Sequence, residues 1–139
     1  MKKLFCFILL FLIACTSGSV VEFPSGTRVN VELAITPEEK TVGLMNREHL
    51  EENAGMLFIS EDERMQTFWM KNTLIPLDLI FMANDGTVVD IKKEFEPCKT
   101  VSCPNYASKA PAQYVLEVNA GFSEKEGLEI GNKLKISLK

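Results

Sequence analysis

Leu77-Asp78-Leu79-Ile80-Phe81-Met82-Ala83 is the most apolar stretch of this chain beyond its first fifteen residues, and it meets Thr87-Val88-Val89-Asp90-Ile91 across Asn84-Asp85-Gly86. A turn of that composition between two runs rich in β-branched and aromatic residues is a strong hairpin signal, so two antiparallel strands are expected here. Asp78 is the odd residue in the first run. Its neighbours are apolar, so its carboxylate either sits at the mouth of the core or requires a paired donor. Lys71, Arg47 and the Asn72 amide are the candidate partners.

The rest of the chain reads as short strands with little helix. Val29, Val31, Leu33 and Ile35 alternate with Asn30, Glu32 and Ala34, a strand with one buried face. Thr36-Pro37-Glu38-Glu39 then offers a capping box with proline at the first helical position. The helix it opens is expected to carry Val42, Met45 and His49 on one face and to fade near Leu50. Gly43 inside that helix costs about 1 kcal/mol relative to alanine, which points to close packing at that position. Gly55 to Ile59 is an apolar run, Ser60 to Gln66 a charged connection, and Tyr114 to Val118 another strand. Ser123 with Glu126 suggests a second capping box on a short turn stopped by Gly127. Leu134, Ile136 and Leu138 alternate with lysines and a serine, as in an edge strand. Strands and helices do not alternate regularly, so a doubly wound sheet is not expected. The expected class is α+β: a mostly antiparallel, barrel-like sheet of six or seven short strands with one helix and a short helical turn.

The N-terminus sets the compartment. Met1-Lys2-Lys3 is cationic, Leu4 to Ile13 is an apolar run too short to span a bilayer, and Leu12-Ile13-Ala14-Cys15 resembles the lipobox of bacterial lipoproteins. The rival readings are an ordinary signal peptide with an incidental cysteine, or an uncleaved anchor. The lipobox reading makes residues 1–14 a signal peptide, 15–27 a lipidated cysteine and tether, and 28–139 a single globular domain. The membrane partner is then reached through lipid on Cys15, with several acyl chains giving stable anchoring. The chain would face the extracytoplasmic side of the cell envelope. Thr16 supplies no aspartate-type retention signal, which leaves an outer-membrane destination open. Loss of residues 1–14 removes Lys2 and Lys3, leaving 13 basic against 19 acidic side chains and a net charge near −6. That balance, with no lysine or arginine cluster, argues against a nucleic-acid partner.

An oxidising compartment makes a disulfide the default for Cys98 and Cys103, the two remaining cysteines. The small loop it closes contributes about 2 kcal/mol by the chain-entropy argument. Four intervening residues fit metal or redox Cys-x-x-Cys patterns poorly.

Chemistry-bearing residue types are densest in Phe68-Trp69-Met70-Lys71-Asn72-Thr73-Leu74-Ile75-Pro76-Leu77-Asp78. One reading is a structural latch holding a turn. The other is a pocket with an aromatic wall at Trp69 and polar groups from Lys71, Asn72, Asp78 and Arg47, the mix that small-ligand sites, sugars included, tend to use. If it is a pocket, Asp78→Ala loses ligand with the fold intact; if it is a latch, the variant unfolds.

This segment, with Gly43-Leu44-Met45, Arg47 and Leu50, then Gly55-Met56-Leu57-Phe58, then Tyr114-Val115-Leu116-Glu117-Val118-Asn119-Ala120-Gly121, resembles domain-of-unknown-function family 192, from about residue 28 to the end. The resemblance implies a small barrel-like fold, often exported, and no particular reaction. Its signature positions fall on Arg47, Trp69, Met70, Lys71, Asn72, Pro76 and Asp78. Arg47, Trp69, Met70, Lys71, Asn72 and Asp78 are taken as the expected ligand-binding set. The partner is a small molecule, glycan or envelope protein, with no cofactor and no catalysis.

Two alternatives stay open. Met45, Met56, Met65, Met70 and Met82 with His49 offer thioether and imidazole ligands suited to Cu(I), against the ordinary use of methionine as core filler. A hydrolase could draw a carboxylate pair from Asp78, Asp90 and Glu117, although no nucleophile elbow, phosphate loop or zinc helix is present.

Overall fold

The computed structural model describes residues 18–139, so the leader and the lipidation expected at Cys15 lie outside the described residues. The element order is β1 (Val20–Glu22), β2 (Arg28–Ala34), α1 (Pro37–Val42), β3 (Ala54–Arg64), β4 (Thr67–Trp69), β5 (Leu77–Met82), β6 (Val88–Phe95), β7 (Asn105–Ala107), β8 (Ala112–Asn119), α2 (Phe122–Lys125) and β9 (Lys135–Ser137). Seven strands form one sheet in the order β6-β5-β8-β3-β2-β1-β9, and β4 pairs with β7 in a separate ribbon. All pairs are antiparallel except β2 with β3, whose connection carries α1. The α+β class holds, with nine strands among the described residues rather than six or seven. No closed barrel forms among the described residues: the sheet's two ends meet at a single bridge, Thr87 with Lys133.

The additional strands are three-residue elements, too short to show a period. β1 falls inside the stretch read as tether, yet it pairs with both β2 and β9 and buries Val21 completely. β3 continues past its apolar run through the charged residues to Arg64, its far end exposed and its register shifting after Ile59.

Helix α1 begins as expected. Thr36 Oγ1 accepts from the Glu39 amide at 3.2 Å, and Glu39 Oε2 accepts from the Thr36 amide at 2.9 Å. It ends at Val42 instead of near Leu50, because Gly43 turns to φ +46°. That turn brings Gly43 against the core: a Cβ there would lie 3.1 Å from the Phe58 ring. Met45 and His49 therefore share no helix face, and His49 points outward to Glu51 at 3.1 Å. The capping box expected at Ser123 and Glu126 does not form either. Gly121 caps α2 with no side-chain bond, because the Ser123 side chain is used elsewhere.

Strand alternation places apolar side chains on both faces of the sheet. Leu57, Ile80, Leu116 and Val118 pack under Phe122 on one side, and Phe58, Leu79, Phe81 and Val115 pack with Met70 on the other. Between β3 and β8 the backbones approach so closely at Gly55 that a Cβ would lie 2.6 Å from the Glu117 carbonyl oxygen.

Asp78 is fully buried in β5, and none of Lys71, Arg47 or Asn72 is its partner. Its Oδ1 accepts from the amides of Glu94 at 2.9 Å and Gly121 at 3.2 Å. Its Oδ2 accepts from the Ser123 amide at 2.9 Å and from the Ser123 hydroxyl. The carboxylate thus fastens the end of β6 and the first turn of α2 to the central strand, through donors that belong mostly to the backbone. Asp78→Ala strands these donors in a dry interior and is expected to cost about 3–5 kcal/mol, with Ser123→Ala costing about 1–2 kcal/mol. Urea unfolding measures both; a loss below about 1 kcal/mol for Asp78→Ala would remove the latch.

Candidate functional site

The Phe68–Asp78 motif divides among three environments. Trp69 ends β4 and is 40% exposed, and the Lys71 ammonium lies 5.3 Å from its ring centroid. Met70, by contrast, is a core residue, and its carbonyl accepts from the amides of Thr73 at 3.2 Å and Cys98 at 3.3 Å. Asn72 turns at φ +54°, and its carbonyl accepts from the Asn46 amide at 2.8 Å, tying this turn to the loop after α1. Arg47 on that loop makes a two-pronged ion pair with Glu32, with Nη2 2.7 Å from Oε2. The pair holds the Glu32 carboxyl below its ordinary range and the Arg47 guanidinium above its own. The six expected residues therefore do not converge on one pocket. Trp69 and Lys71 share a cleft; Asp78, Met70, Arg47 and Asn72 fasten the elements around it.

The cleft opens between the end of α1 and β4, and Glu117 of β8 forms its floor. Gly43, Phe58 and Phe68 wall it, with Trp69 and Lys71 at the mouth. Phe58 and Phe68 meet edge to face, ring centroids 5.0 Å apart, and this contact seats the ribbon on the main sheet. The space is about 20 Å³, room for one water-sized group.

Glu117 shares its strand face with Val115 and is only 5% exposed. Among the described residues no donor bonds its carboxyl, and burial alone pushes its pKa up to about 8. No fully enclosed side-chain oxygen or nitrogen in the described residues lacks a partner, so the carboxyl keeps contact with the cleft. In the sequence Glu117 stands out only as one member of a hydrolase pair. The signal that marks it is the one that marks Asp78, a lone acid in an apolar strand.

Two of the three acids named for a hydrolase pair are engaged in other bonds. Asp78 is consumed by the latch, and Asp90 accepts from the Tyr106 hydroxyl at 2.7 Å and the Lys109 amide at 3.0 Å. Burial and that bond push the Tyr106 hydroxyl up to about 12. For the copper reading, Met56, Met70 and Met82 are buried in the core while Met65 and His49 are exposed apart from them. No group of three or more His, Cys, Asp or Glu able to hold a metal ion occurs among the described residues. Cys98 and Cys103 are disulfide-bonded, as expected, with Cα atoms 5.7 Å apart. A larger hollow of about 490 Å³ lies between the Asn84–Gly86 turn and β9, but no buried titratable group faces it.

The position of Glu117 gives stability a pH slope with a defined sign. Its folded pKa near 8 exceeds the ordinary 4.5, so folding favours the protonated form. The contribution is fully present below about pH 4.5 and is lost as pH rises through about 8. Glu117→Gln is expected to flatten that slope and to exceed the native chain above pH 8 by a few kcal/mol, since each tenfold change in proton affinity is worth about 1.4 kcal/mol. Unfolding free energies between about pH 4 and 9 check it; identical profiles for the two proteins would contradict it.

No curated protein matches the chain. Solved structures do match. One is a Sinorhizobium meliloti 1021 protein described as a candidate transcription regulator, 36% identical, with TM-score 0.75, covering 85% of this chain and 91% of that one. Another is a protein of unknown function from Novosphingobium aromaticivorans DSM 12444, also 36% identical with TM-score 0.75, covering 84% of this chain and 82% of that one. The family model described as Uncharacterized ACR matches residues 20–136, which includes β1, the latch and the whole cleft. The chain belongs to this family, DUF192.

Proposed function

We propose that this is a lipid-anchored protein of the cell envelope that binds a small molecule, glycan or protein partner, without catalysis, in the cleft between α1 and β4. The observation that carries the reading is Glu117, a buried carboxyl without a partner among the described residues, beneath an exposed tryptophan. A fold keeps such a group at a cost, and a ligand that bonds it recovers part of that cost. Phe58 and Phe68 supply apolar contact around one polar anchor, and Lys71 adds a positive charge at the mouth. The disulfide suits an oxidising compartment, and the Cys15 lipobox supplies an anchor where no helix among the described residues is long and apolar enough to cross a membrane. In this reading the sheet is a barrel-like frame, curled until its ends meet at Thr87 and Lys133, that presents the cleft on one outer face. The dispersed charge of an acidic chain favours such ligands over nucleic acid.

The test is intact mass spectrometry of the full protein, expressed with its own leader and extracted from membranes in detergent. The expected product starts at Cys15, carries acyl chains, lacks the two hydrogens of the disulfide, and retains a ligand that Trp69→Ala and Glu117→Met lose. An unacylated Cys15 would end the anchor. A ligand retained equally by both variants would end the cleft.

A further inference from the structure

The charges around the cleft narrow its ligand. Besides Glu117 at the floor, the titratable groups lining it are Lys40 and Lys71, and neither ammonium lies within ion-pair distance of a carboxylate among the described residues. Lys40 projects from the last turn of α1, where Arg64 adds a second positive field that Glu61 only partly offsets. The Lys71 ammonium lies over the Trp69 ring, 5.3 Å from its centroid. An entering ammonium would thus meet two cations at the rim, while an anion would meet two donors. The floor group at neutral pH is a carboxylic acid rather than a carboxylate, so it donates a hydrogen bond and does not repel an anion. With room for one water-sized group, the cleft admits a single oxygen, and the body of the ligand stays at the mouth against Trp69. A flat face of C–H groups flanked by hydroxyls is what an exposed indole stacks with.

Resting on the cleft reading above, we propose that the ligand is an anionic sugar, a pyranose that stacks on Trp69, places its acidic group between Lys71 and Lys40, and sends one oxygen down to Glu117. The acidic group is a carboxylate or a phosphate ester, both recognised by the same two ammonium groups.

Calorimetric titration of the protein at pH 7 with D-glucuronate, D-glucose 6-phosphate, D-glucose and D-glucosamine tests this. The expected result is that one of the two anionic sugars binds at least about tenfold more tightly than glucose and that glucosamine gives no heat of binding. Lys71→Ala is expected to weaken the anionic sugar by about tenfold, Lys71→Arg to keep most of the affinity, and Glu117→Gln, which still donates, to bind where Glu117→Met does not. The stronger of the two anions identifies the acidic group. Equal binding of glucose and glucuronate, or preference for glucosamine, would overturn the anionic assignment while leaving the cleft in place. Failure of all four sugars, with a co-purifying ligand still dependent on Trp69, would overturn the sugar and spare the cleft. Glucuronate bound equally by Trp69→Ala and Lys71→Ala would place it elsewhere and overturn both.

Discussion

The carboxylate of Asp78 is the interaction on which the rest of this fold depends. A fully buried carboxylate at the second position of the apolar strand β5 is tolerated because four donors converge on it, three of them backbone amides and one the Ser123 hydroxyl. These donors come from the end of β6 and the start of α2, which are far apart in sequence. One side chain therefore sets where the hairpin ends and where the chain turns after β8. Because β5 and β8 are adjacent, the same fastening fixes the strand that carries Glu117.

The two buried acids of these neighbouring strands serve opposite ends. Asp78 is saturated with donors and holds structure; Glu117 has none among the described residues and stays protonated to higher pH. They lie on opposite faces of the sheet, since Asp78 pairs with Val118 and Leu79 with Glu117. Satisfaction of one and deprivation of the other is the feature that separates latch from cleft. The aromatic contacts of Phe58, Phe68 and Phe81 then seat the β4–β7 ribbon as the cleft's outer wall.

Much of this was legible in the sequence, and what was not has physical causes. The hairpin around Asn84-Asp85-Gly86, the start of α1 and the disulfide followed from turn chemistry, capping and spacing. The end of α1 did not, because Gly43 acts there through tertiary contact with Phe58, which no local pattern records. β1 and β7 are defined by their partners and not by a period of their own. Asp78 stands out as anomalous, but the expected partners are side chains, two cations and the Asn72 amide, whereas three of its four donors are backbone amides, which residue identity does not record. The Phe68–Asp78 motif read as one site because its residues are contiguous; a strand, a turn and a second strand send Trp69, Met70 and Asp78 to different places.

The cleft is built over a carboxyl whose protonated form burial favours. Carbon-13 NMR of the full protein with labelled glutamate, assigned by Glu117→Gln, follows that carboxyl directly from about pH 3 to 10. The predicted midpoint is near pH 8, well above the ordinary glutamate value of 4.5. A midpoint at the ordinary value near 4.5 would mean that Glu117 is solvated or paired, and the cleft would lose the group that gives it a ligand.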